Sequence, residues 1–96
     1  MLQQRSAFFV SDRTAITAQM LGHSLLTQFS HAVSFNEVTL PFIDSMEKAR
    51  NAVEQINRQA ALDGTRPLVF STLVQAEVAT VISEADALIV DCFETF

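Results

Sequence analysis

Ninety-six residues, 49% of them hydrophobic, suffice for one domain with a core, although a chain this short buries only about 60–65% of its unfolded surface. A net charge of −5 and a pI near 4.7 exclude nucleic acid and anionic membrane as default partners, because both attract Lys and Arg. The single cysteine, Cys92, excludes an intrachain disulfide and a cysteine-rich zinc site, leaving a reduced, partly buried thiol. No stretch approaches the length of a membrane span, and the opening MLQQRSAFFV is too short and polar for a signal peptide, so the cytoplasm is the expected compartment.

The apolar run Ala7–Val10 stops at Ser11 and Asp12 and reads as a buried first strand. From Arg13 to Phe29 the pattern is helical, with Leu21, Leu25 and Phe29 four apart, Ile16 paired with Met20, and Asp12 or Ser11 as N-cap. Gly22 stands mid-helix, where a close approach to the sheet would account for it. Val33–Leu40 is the second strand, ended by Pro41. Asp44 and Glu47 have capping-box spacing, and Ala49, Ala52, Val53, Ile56 and Ala60 form one apolar stripe of a helix closed by Gly64. Lys48, Arg50 and Arg58 read as its solvated face. Pro67 opens a third strand, Leu68–Phe70, apolar on both faces as a central parallel strand must be. Thr72 and Gln75 make a second capping box before a helix with Val74, Val78, Val81 and Ile82 inward. Ala87–Val90 is the last strand, and the tail CFETF begins a further helix.

Strands alternating with helices predict an α/β fold: a small open parallel sheet of four strands, order 2-1-3-4, with three helices in three layers, half of a flavodoxin- or Rossmann-like domain. The first helix covers one face, and the second and third cover the other. One face beside strands 3 and 4 is then short of a helix. A missing domain or a second copy of the chain is expected to cover it.

Ligands of open α/β sheets bind beyond the carboxyl ends of strands at the topological switch point, here between strands 1 and 3. That point gathers Ser11, Asp12, Arg13 and Thr14 with Ser71 and Thr72. Two helix N-termini, a cation and several hydroxyls suit an anion or a partner's polar surface. The same residue types cap helices everywhere, so each also reads as a backbone cap, and the Asp12 carboxylate opposes a phosphate. His23 on the first helix and His31 in the following loop have no partner at metal-ligand spacing, so no metal site is expected. Asp91 and Cys92 read as packing and loop residues, and no catalytic set emerges. The only glycines are Gly22 and Gly64 and the only lysine is Lys48. This excludes both G-x-x-x-x-G-K-[ST] and G-x-G-x-x-G, so these 96 residues carry no nucleotide loop or cofactor loop of either kind. A phosphorelay receiver would need an aspartate at the end of strand 3, where Phe70–Thr72 offers none.

The segment FFVSDRTAITAQMLGHSLLTQF (8–29), with VTLPFID (38–44), the pattern from Ala49 and GTRPLVFSTLV (64–74), resembles the phosphoenolpyruvate synthase regulatory proteins. These are relatives of the pyruvate, phosphate dikinase regulatory proteins. The resemblance implies a cytosolic bifunctional Ser/Thr kinase and phosphorylase. It would use ADP to phosphorylate a threonine of phosphoenolpyruvate synthase and inorganic phosphate to reverse the reaction, releasing pyrophosphate. It further implies that residues 1–96 are the amino-terminal domain of a larger protein whose P-loop lies in a carboxy-terminal domain. This part would be inactive alone and would serve docking or structural support. What carries over from the family is the Ser11–Thr17 motif, which adds Thr17 to the candidate anion or partner residues. In it Arg13 and Ala15 stand where many relatives carry glycine. The alternative is a stand-alone flavodoxin-like binding or dimerisation module without catalysis.

Overall fold

In a computed structural model, which describes residues 3–29 and 33–95, the chain forms β1 (Gln3–Ser11), α1 (Ile16–Leu26), β2 (Val33–Leu40), α2 (Met46–Asp63), β3 (Leu68–Thr72), α3 (Ala76–Ile82), β4 (Leu88–Asp91) and α4 (Cys92–Thr95). A single 3₁₀ turn, Thr27–Phe29, closes α1. The four strands are all parallel in the order β2-β1-β3-β4. That order and α/β architecture are the expected ones. His31 lies outside the described residues.

Each strand splits its side chains between two cores. On one face Ala7, Phe9 and Phe70 pack with Ala18 and Leu26 of α1 and with Cys92 of α4. On the other, Phe8, Val10 and Val69 pack with Ala49, Ala52 and Ile56 of α2 and with Val78, Val81 and Ile82 of α3. Gly22 explains how α1 lies so close. A Cβ built there would meet Phe9 Cε1 at 2.5 Å and Phe70 Cδ2 at 2.8 Å, and those two rings stack with centroids 5.7 Å apart. The expected close approach is therefore present. Gly64 ends α2 at φ 70° with its N–H on Ala60 O, the left-handed closure that glycine makes without a Cβ clash.

Several expected caps and stripes are corrected. Helix α1 starts at Ile16 rather than Arg13, and its N-cap is Ala15, not Asp12 or Ser11. Its buried positions are Ala18, Gly22 and Leu26, while Ile16, Met20 and Phe29 are exposed. Leu21 and Leu25 pack only partly against the core. The helix is apolar on several sides, so spacing alone selected a neighbouring stripe. Ser45, not Asp44, caps α2: its Oγ accepts from Lys48 N–H at 3.2 Å, and the Asp44 carboxylate instead takes the Lys48 ammonium at 2.9 Å. That contact holds the Asp44 carboxyl below its ordinary range. Thr72 caps nothing, because β3 runs through it and Gln75 precedes α3 without a side-chain cap bond. Val74 is exposed in the connecting loop rather than on an inner helix face.

The α1 side of the sheet is incompletely covered beside β3 and β4. Leu68 and Val90 are half-buried and Leu88 is 43% exposed. Helix α4 reaches only the carboxyl end of this strip, through the buried Cys92. Among the described residues, no helix is long and apolar enough to cross a membrane.

Candidate functional site

Parallel pairing sets Ser11 beside Thr72 and Val10 beside Ser71, so the carboxyl ends of β1 and β3 finish level at the switch point. There the chain leaves β1 through a turn, Ser11–Ala15, that has to bend toward α1. The turn is held locally: Arg13 N–H donates to Ser11 Oγ at 3.1 Å. It is also held from the side. Phe42 N–H donates to Arg13 O and Ile43 N–H to Ser11 O, each at 2.8 Å. Ala15 enters α1 with φ 70°, a left-handed conformation that costs an alanine about 1 kcal/mol.

The result is a cavity of about 230 Å³ lined by Ser11, Asp12, Arg13, Thr14, Ala15, Ile16, Thr17, Thr72, Val74 and Phe93. Six of the seven residues singled out from the sequence thus meet around one space. Ser71 is the exception. It alternates to the other face and its Oγ accepts from Leu73 N–H at 3.4 Å. The four further lining residues, Ala15, Ile16, Val74 and Phe93, are apolar and gave no chemical signal in the sequence. The order DCFETF after β4 was the only pointer to Phe93.

The polar equipment of the cavity is mostly donor in character. Helix α1 opens without any side-chain cap, so its first N–H groups and the positive end of its dipole face the cavity at Ile16 and Thr17. Ser11 and Thr72 are both 4% exposed, and the Thr72 hydroxyl has no hydrogen-bond partner among the described residues. Arg13 is exposed and joins none of the ion pairs among the described residues. Half-buried Asp12 adds the one carboxylate of the lining. Beneath the rim, burial first and the neighbouring Asp91 carboxylate second push the Cys92 thiol above its ordinary value. Cys92 is therefore protonated and inert at neutral pH. His23 lies away on α1, its Nδ1 3.3 Å from Glu37 Oε1 on β2. Among the described residues, no group of three or more His, Cys, Asp or Glu is placed to hold a metal ion.

The arrangement can hold a small anion at the helix end by N–H groups, two hydroxyls and a guanidinium. It contains no arranged nucleophile and base, and no lysine.

Comparison with known proteins bears on the chain as a whole. The sequence profile of the kinase/pyrophosphorylase family matches residues 7–96. A phosphoenolpyruvate synthase regulatory protein of Alkalilimnicola ehrlichii is 54% identical over 93 residues, which are 97% of this chain and 33% of that protein. One of Marinobacter nauticus is 50% identical over 97% of this chain and 34% of its own length. One of Pseudomonas aeruginosa is 47% identical over the whole chain and 35% of its own. The chain spans about a third of the length of these curated relatives. It belongs to the kinase/pyrophosphorylase family.

Proposed function

We propose that this chain is the amino-terminal domain of a regulatory phosphotransferase that switches phosphoenolpyruvate synthase off and on. In the off step, the β-phosphoryl group of ADP passes to a threonine hydroxyl of the target, and AMP leaves. In the on step, inorganic phosphate attacks the phosphothreonine, releasing pyrophosphate and free threonine. The nucleotide loop for both steps belongs to a carboxy-terminal domain outside these 96 residues. This domain supplies target docking, part of the active-site wall, and an anion site built from Ser11, Asp12, Arg13, Thr14, Thr17 and Thr72. The strip of Leu68, Leu88 and Val90 seats the carboxy-terminal domain or a second copy of the chain. The protein works in the cytoplasm.

One observation carries this reading. The family match runs from Ala7 to Phe96, yet the sequence it covers contains no G-x-x-x-x-G-K-[ST] loop to grip a nucleotide by its phosphates. The test is a phosphorylation assay with purified phosphoenolpyruvate synthase and ADP labelled in its β-phosphate. The 96-residue chain should transfer no label, whereas the protein encoded by the whole gene should transfer it to threonine. Labelling by the short chain would overturn the division of labour. A gene ending at Phe96 would remove the enzyme altogether and leave a stand-alone binding module.

A further inference from the structure

Only two described residues with side chains adopt positive φ, Ala15 at 70° and Phe42 at 60°. They stand in two different loops, which are bound to each other. Phe42 N–H donates to Arg13 O and Ile43 N–H to Ser11 O, both at 2.8 Å. A bulky residue keeps a left-handed backbone only where its surroundings over-determine it. For Phe42 the ring is not the cause, because it is 54% exposed. What fixes the conformation is the backbone pair, together with Ile43, which is 8% exposed in the α2-side core. On the other side of the same bonds, the carbonyls belong to the turn that shapes the cavity.

We propose that the β2–α2 loop, Pro41–Ile43, is a strap whose seating on the Ser11–Ala15 turn sets the cavity's affinity for a phosphate-like anion. This rests on the anion reading of the cavity. Phe42 is a positioning residue acting through its backbone and touches no ligand. Coupling of this kind is reciprocal, so an anion in the cavity must in turn tighten the strap. The strap's outer side faces a separate groove lined by Leu40, Phe42, Lys48 and Asn51. Occupancy of the cavity is thereby felt on a second surface.

Inorganic phosphate titrated into the chain, with amide signals and amide exchange followed by NMR, tests this. Phe42→Pro removes the N–H and forces φ negative, whereas Phe42→Asn keeps the N–H and tolerates positive φ. The proline variant should bind phosphate about tenfold or more weakly and exchange its Ile43 and Gln19 amides, both hydrogen-bonded in the parent, faster. The asparagine variant should stay within about twofold of the parent. In the parent, phosphate should slow exchange of the Phe42 and Ile43 amides. A folded proline variant with parental affinity and parental exchange overturns the strap, as does an asparagine variant as weak as the proline one. If the parent binds no phosphate, the anion reading fails. The exchange data then decide the strap alone: parental rates at the hydrogen-bonded Ile43 and Gln19 amides in Phe42→Pro refute it. Should Phe42→Pro not fold, Pro41→Gly loosens the same loop through its entropy and is held to the same readouts with a smaller shift.

Discussion

At the amino end of the sheet, Ser6 Oγ donates to one oxygen of Asp63 at 2.6 Å and Gln59 Nε2 donates to the other at 2.8 Å. Asn57 Oδ1 accepts from Asp86 N–H at 2.7 Å, and Arg66 reaches the Asp86 carboxylate at 3.3 Å. Only Arg5 Nε goes without a partner among the buried side-chain atoms described. At the carboxyl end the same kinds of residue are left open. Helix α1 begins uncapped, the Thr72 hydroxyl opens on the cavity and bonds to no described group, and both positive-φ side-chain residues among those described are there. A left-handed residue that carries a side chain costs about 1–2 kcal/mol. The sheet is thus closely fastened at one end and left more open at the other, the end at which the anion site is proposed.

The largest effect should come from Gly22, on which the comparison depends because it lets α1 lie down over both ends. Gly22→Ala gains about 1 kcal/mol of helix propensity. It also drives a methyl group into the Phe9 and Phe70 rings, and overpacking of this kind costs about 3 kcal/mol or more, which leaves a net loss of at least about 2 kcal/mol. Urea unfolding should show that loss; a stabilised variant would mean the helix can lift freely. Next comes Asp63→Ala, which strips the partner from Ser6, 1% exposed. It should lose about 2 kcal/mol while phosphate binding at the far end stays parental. Loss of binding there would dissolve the distinction between the ends. Ala15→Gly should move stability the other way. Relief of the left-handed strain, about 1 kcal/mol, is partly offset by the entropy of glycine in the unfolded chain. A net gain of about 0.5 kcal/mol should appear in the same urea titration, and a loss would show that φ at this position carries no strain.

What the sequence made legible follows the same division. Strand order, the two-faced core and the close approach at Gly22 were readable because each rests on a period, a chain-crossing rule or a residue count that tertiary contacts do not override. The caps were not. Asp44 and Ser45 are adjacent and both are good caps, and only the Ser45 oxygen meets the Lys48 N–H. An alanine starting a helix at φ 70° violates the preference that pointed to Asp12. The cavity's polar lining was legible because strand ends at the switch point are fixed by topology. Its apolar lining, Ile16, Val74 and Phe93, was not, since an exposed apolar side chain carries no mark of what it borders. Ser71 was misplaced by one residue of strand alternation.

The smallest change in stability should come with a clear change in binding. Thr72→Val replaces a hydroxyl that bonds to nothing described by a methyl of the same shape, in a residue that is 4% exposed. Removing a hydroxyl that opens on the cavity should shift unfolding by less than about 0.5 kcal/mol. The same hydroxyl, placed across from Ser11 by the β1–β3 register, is a donor to any anion at the start of α1. Its loss should weaken phosphate binding about tenfold or more, the worth of one hydrogen bond to a charged group. Calorimetric titration beside the urea curve separates the two. A destabilised Thr72→Val with unchanged phosphate affinity would make Thr72 a structural residue, and the carboxyl end would then be fastened like the other.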